Sequence, residues 1–355
     1  CFVIIFSSCE NNPGLFNECF TEINYSEGKI NGSSILQTPK LFHHSGSSPQ
    51  NIIYTLDLAQ KTNANWVSLS PVIYITDVSR QRGFPYKYDF GVNRHLIRMK
   101  VIIPKMVNSG FQNIMLKPLI SFWSVADSDF WGDFYVETEE EWLEIERACT
   151  ELFYEFAKLS EEFPEVKLLS VGNELKQFTQ RRPQFFKALI IKIRTYFPNL
   201  ELTYAANWDE YQSVSFWEDL DYIGVNPYFP LLSKKSPTLE EIKQAFKPIE
   251  NNLRGFSCLY NKPILFPEYG FRSADYGLWE SWNREFYQDK AVNFEVQNNA
   301  YIAFYDTFWH QDWLSGGFFW EWRVISNGVV NNPNGNAWYI NDKPVEKIIK
   351  EQYAK

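Results

Sequence analysis

Val166-Lys167-Leu168-Leu169-Ser170-Val171-Gly172-Asn173-Glu174-Leu175 reads as a short apolar strand running into a glycine, an amide and a carboxylate. Brief aliphatic runs bounded by breakers are the signature of a buried strand. Outward from it the same unit recurs. A helix opens at Pro183, a residue suited to the first helical position, with Phe186, Leu189, Ile190 and Ile193 on one face. Upstream, Thr138 and Glu141 have the spacing of a capping box and lead a helix that buries Trp142, Ile145, Cys149, Leu152 and Phe156.

Further upstream, strands are expected at 65–70 and 113–118, with a helix over 93–109 between them that contains Pro104 and is closed by Gly110. Ser48-Pro49 starts another helix through Ile52, Ile53 and Leu56. Downstream, strands are expected at 200–205, 222–225, 263–266 and 316–319. Helices follow near Thr238, over 293–312 and over 345–352. With a first strand near 20–23, the count reaches eight strands, each followed by a helix or a long loop. Alternation of this kind builds a parallel sheet covered by helices, and eight units close as a (β/α)8 TIM barrel. The barrel is expected over 15–355 as one catalytic domain, with 1–14 as a leader remnant and tether.

Composition limits the function. The chain has 355 residues, 45% hydrophobic and 22% charged, which fits a globular protein. A net charge of −9 argues against nucleic acid, whose phosphates require a basic stripe, and against acidic polysaccharides. Aromatic residues reach 18%, and flat faces with polar edges suit both thick cores and sugar rings. The four histidines lack metal-site spacing, and no GxSxG, GxGxxG or P-loop motif occurs, so no metal or cofactor is expected. Cys19, Cys149 and Cys258 are scattered, with no CxxC pair, so no disulfide framework is expected.

The first residues, Phe2 to Phe6, then Ser7, Ser8 and Cys9, are similar to a bacterial lipoprotein signal. That similarity implies a lipid anchor on Cys9 and a secreted or cell-envelope location, with a frayed N-terminal strand as the alternative.

In such a barrel, working residues stand at the C-terminal ends of strands. Lys117, Asn173-Glu174, Asn207-Trp208, Tyr228, Glu268 and Trp320-Glu321 all occupy expected strand ends. Glu174 and Glu268 follow strands too apolar to carry a carboxylate without a reason. On strands four and seven they can converge, and two carboxylates about 5–5.5 Å apart serve a retaining glycosidase.

The Asn-Glu ending strand four and the Glu ending strand seven resemble the glycoside hydrolases of clan A. Tyr204-Ala-Ala-Asn-Trp-Asp-Glu-Tyr211, Phe216-Trp217, Leu220-Asp221-Tyr222-Ile223-Gly224 and Pro227-Tyr228-Phe229-Pro230-Leu231 are similar to glycoside hydrolase family 113, the β-mannanases. So are Asn65-Trp66-Val67, Leu116-Lys117-Pro118, Phe130-Trp131-Gly132 and Gly172-Asn173-Glu174-Leu175. The resemblance runs from about Asn65 to Trp322. It implies that Glu174 is the acid/base and Glu268 the nucleophile. It implies too that Asn173 holds a sugar 2-hydroxyl, Tyr228 hydrogen-bonds the nucleophile, and Trp320 lies under the sugar at the cleavage point.

Lys117 has two readings, a sugar ligand or a lysine paired with an acid in the lumen. Trp131 and Trp208 are sugar platforms or lids over core, with Asn207 beside them, and Trp279 and Trp282 form a rim. Leu119 stands where the family pattern has His, and Asn226 where it more often has Asp. The expected substrate is a neutral polysaccharide, β-1,4-mannan first. Another neutral β-glycan and a non-catalytic sugar-binding barrel are the alternatives. The oligomeric state is left open.

Overall fold

A computed structural model describes residues 29–37, 56, 61–74, 76–77, 88–121, 130–322 and 335–355. Eight parallel strands form the barrel: β1 (Ile30–Gln37), β2 (Trp66–Tyr74), β3 (Ile114–Leu116), β4 (Val166–Asn173), β5 (Glu201–Asn207), β6 (Ile223–Asn226), β7 (Ile264–Tyr269) and β8 (Leu314–Trp322). Neighbours in sequence pair in order, and β1 pairs with both β8 and β2, which closes the ring. After a break at Lys117-Pro118, a second segment, Leu119–Ser121, rejoins β2 and makes nine strands in the sheet. The expected barrel is the observed one.

The first strand is placed differently. β1 begins at Ile30, and the expected strand at 20–23 lies outside the described residues, as do 1–14 and most of the helix expected from Ser48. Ile30-Asn31-Gly32-Ser33-Ser34-Ile35 lacks an apolar run. Its strand form comes from ladders to β8 and β2, which no local pattern announces.

Helices α1 (Val92–Asn108), α2 (Glu139–Glu162), α3 (Lys176–Arg181), α4 (Pro183–Tyr196), α5 (Leu239–Tyr260), α6 (Phe294–Phe304) and α7 (Val345–Tyr353) follow. Thr138 and Thr238 each complete a capping box with the Glu three residues on. Two apolar layers result. One fills the lumen with Ile30, Met115, Leu168, Leu265 and Phe318. The larger one lies between sheet and helices and includes Leu169, Val171, Phe266 and Tyr269.

Those layers explain how polar groups reach the lumen. On β3, Met115 points inward, so Lys117 two residues on does too. On β7, Leu265 faces in while Phe266 and Tyr269 both face out, a spacing of three that strict alternation forbids. The ladder to β8 is irregular between those two residues. A matching irregularity lies between Ser170 and Asn173 on β4. Each irregularity re-aims a strand end, as bulges commonly do beside active sites.

Cys149 is free and buried, as its place on the α2 stripe predicted. Cys258 is disulfide-bonded, contrary to expectation, and with Cys149 free its partner lies outside the described residues. Spacing alone cannot reveal a bond between such distant cysteines. No helix among the described residues is long and apolar enough to cross a membrane.

Candidate active site

Glu174 follows β4 with a φ of +54°, the left-handed region that a residue with a Cβ enters only when its surroundings hold it there. Its amide donates to the Ala205 carbonyl at 2.8 Å. The residue is 7% exposed, and Asn226 Nδ2 donates to Glu174 Oε1 at 3.0 Å and to Asn173 Oδ1 at 3.3 Å. Burial, with the charge of Glu268 next, pushes the Glu174 carboxyl up to about 8; Asn226 and Lys117 act against that rise.

Glu268, on the irregular end of β7, is 6% exposed and meets different partners. Lys117 Nζ hydrogen-bonds its Oε1, and the Tyr228 hydroxyl donates to its Oε2 at 3.1 Å. Lys117 has no solvent exposure, and its ammonium lies 5.0 Å from the centre of the Trp320 ring. Burial pulls the Lys117 ammonium down and the Glu268 charge opposes this. Burial and the two carboxylates push the Tyr228 phenol well up, so it remains a donor.

Two carboxyl groups therefore share one lumen in opposite settings. Both are buried, but Glu268 has a cation and a hydroxyl donor, whereas Glu174 has one amide. Of the two, Glu174 is the group that keeps a proton near neutral pH. Of the two readings of Lys117, the structure favours the lysine paired with an acid.

Asn173, Glu174, Asn226, Tyr228, Lys117, Glu268 and Trp320 thus form one connected group. Trp131 stands beside it, on a 3-10 turn whose Gly132 abuts the Glu174 backbone: a Cβ there would lie 2.6 Å from the Glu174 carbonyl oxygen. Trp131 itself packs partly against the core. Asn207 and Trp208 lie across the Lys176–Asp209 ion pair from the Glu174 turn. Asn207 Oδ1 accepts from the Trp208 amide, and Trp208 stacks on Trp282 with centroids 5.6 Å apart. Trp282 is 43% exposed. Trp279 is half-buried and its carbonyl accepts from Tyr287.

Glu210, the neighbour of Asp209, is a further acid at this strand end. Only Asp209 is exposed; Glu210 is wholly buried. Its Oε2 accepts from the Asn207 amide, and its own amide donates to the Asn207 carbonyl. Asn207-x-x-Glu210 has capping-box spacing, which is the signal that could have found it.

The family model described as Glycoside Hydrolase Family 113 matches residues 48–343. The chain belongs to this family. As a member of it, the protein is a glycoside hydrolase. Among solved structures, a family 113 β-mannanase from Alicyclobacillus acidocaldarius is similar at a TM-score of 0.72 and 18% identity, covering 93% of this chain and 98% of that one. A complex of a family 113 β-1,4-mannanase gives 0.69 and 18%, over 93% and 100%. A Ruminococcus gnavus β-glucuronidase gives 0.63 and 15%, over 92% of this chain and 50% of that chain. At such identities these likenesses describe the fold. No curated protein matches the chain.

Proposed function

We propose that this glycoside hydrolase is a retaining β-mannanase in which Glu268 is the nucleophile and Glu174 the acid/base. The observation that carries the reading is the opposite setting of the two carboxyls. Glu268, paired with Lys117 and Tyr228, attacks the anomeric carbon as a carboxylate. Glu174, held up to about 8, gives its proton to the departing glycosidic oxygen. Water then attacks the anomeric carbon, giving its proton to Glu174, now a base, and Glu268 leaves as a carboxylate. Asn173 is the 2-hydroxyl partner, and the Trp320 face lies against the positive charge that develops on the ring. Trp131, Asn207 and Trp208 line the approach for further sugars.

Mannan is the first substrate because family 113 neighbours are β-mannanases. Leu119, half-buried two residues after Lys117, favours a second reading in which another neutral β-glycan is cut. Reducing-sugar release from neutral polysaccharides, with Glu268→Ala as blank, tests both. Release from mannan that vanishes in the variant supports the first reading. Release only from another glycan supports the second, and binding without release from any glycan overturns both.

A secreted or envelope lipoprotein is proposed on the Cys9 pattern, and a disulfide at Cys258 is consistent with an oxidising compartment. Intact mass of the membrane-extracted protein decides it; an unmodified Cys9 refutes the anchor.

A further inference from the structure

Glu174 sits in a left-handed backbone conformation, and something must hold it there. The next amide, of Leu175, does not join the sheet. It donates at 2.7 Å to the hydroxyl of Tyr204, which in turn donates at 2.6 Å to Glu210 Oε1. Thr179 Oγ1, on the α3 turn just after Glu174, donates to the same oxygen at 2.9 Å. The Asn207 amide fills Oε2 at 3.2 Å. Tyr204, Thr179 and Glu210 are all buried. One carboxylate therefore gathers both the residue and the helix that follow Glu174, and ties them to the end of β5.

We infer that Glu210, acting through Tyr204 and Thr179, is the positioning residue for the Glu174 turn and adjusts the acidity of that side chain. The Tyr204 hydroxyl and the Asn207 amide donate to Glu210, and Thr179 Oγ1, whose one proton also has the Lys176 carbonyl at 3.1 Å, faces the same carboxylate, an arrangement that suits the ionised form. Its charge then acts on Glu174 in the same direction as that of Glu268. Other groups facing Glu174 are Lys117 just after β3, Asn226 from β6 and Tyr228 just beyond it. Facing Glu210 are Tyr204 from β5, Thr179 from α3 and its own neighbour Asp209. Burial pushes the Glu210 carboxyl up to about 7, against the pull of its three hydrogen bonds.

The inference rests on Glu174 being the acid/base, so its test has two arms. In the first, Glu210→Gln removes the charge and Tyr204→Phe removes the link. Both should lower kcat on an unactivated oligosaccharide about tenfold or more, with KM within about threefold, and spare a dinitrophenyl glycoside whose leaving group needs no acid. Glu210→Gln should also move the alkaline limb of kcat/KM to lower pH. Equal losses on both substrates with an unmoved limb overturn the inference and leave Glu210 as a structural residue. In the second arm, the Glu174 carboxyl, labelled with carbon-13 and assigned through Glu174→Gln, is titrated in parent protein and in Glu210→Gln. This readout needs no turnover: if no glycoside is cleaved the catalytic reading fails, while an unchanged Glu174 titration overturns the present one. Should Glu210→Gln not fold, Thr179→Val beside Tyr204→Phe carries the comparison.

Discussion

Lys117 and Glu268 are joined across the barrel lumen by an ion pair in which the lysine has no contact with solvent and the glutamate side chain is 8% exposed. Neither side chain has much contact with water, so removing one leaves the other without its nearest partner. Breaking such a pair from one side costs about 3–5 kcal/mol, whereas replacing both members by apolar groups is often neutral. Lys117→Met should therefore destabilise by about that amount, and Lys117→Met with Glu268→Leu should recover most of the stability but none of the activity. Denaturant unfolding of the single and double variants checks this. A loss below about 1 kcal/mol in Lys117→Met would mean that Glu268 needs no cation.

Tyr228 supplies the second restraint on Glu268, a hydroxyl at 3.1 Å. Hydrogen bonds to charged groups contribute about 1.5–3 kcal/mol. Tyr228→Phe should lower kcat about ten- to hundredfold. Unchanged kcat would show that Lys117 aims Glu268 without help.

Activity should persist through neutral pH and fall as pH rises through about 8, where Glu174 loses its proton. Asn226 donates to Glu174 and so favours its ionised form. Removing that donor with Asn226→Leu should move the alkaline limb up, and Asn226→Asp, which adds a charge as well, should move it further. The pH profile of kcat/KM is the measurement. A limb that moves down in both variants would reverse the role assigned to Asn226.

The same carboxyl affects stability. Its folded value lies above its ordinary value of 4.5, so its favourable contribution is complete below about 4.5 and is lost as pH climbs through about 8. Glu174→Gln, which cannot ionise, should gain Tm over the parent between pH 5 and 9. Glu210, pushed up to about 7, contributes a parallel loss that this variant leaves in place. Melting curves at the two pH values test it; a constant difference is the contrary result.

Gly132 lets the turn before α2 approach the Glu174 backbone. A Cβ there would meet the Glu174 carbonyl oxygen at 2.6 Å and the Phe130 ring at 2.2 Å. Gly132→Ala should thus reduce kcat more than it reduces Tm, because the displaced group is the turn that carries Glu174. Assay and melting of the same preparation separate the two effects.

Much of this was legible in sequence wherever a local pattern had a local cause. Thr138 and Glu141 meet within one turn, and Asn173-Glu174 follows a run that could only be a strand. Glu268 was found for the same reason, although the irregularity that turns it inward was not. What stayed hidden depends on partners far along the chain. Ile30-Asn31-Gly32 becomes a strand only between β8 and β2. Glu210 becomes a buried anchor only when Thr179, 31 residues away, folds against it. Cys258 gave no hint of a bond, because cysteine pairing carries no periodicity.

Tyr269, directly after Glu268, has its hydroxyl 2.6 Å from that of Tyr353 and 3.0 Å from that of Tyr305. Tyr353 also stacks on Trp309. The strand that presents Glu268 is thus finished by a residue on α7. During synthesis, β7 leaves the ribosome 84 residues ahead of this partner, with the Tyr269 hydroxyl one partner short until α7 follows. The strand that carries Glu268 is thus an earlier segment with a later completion.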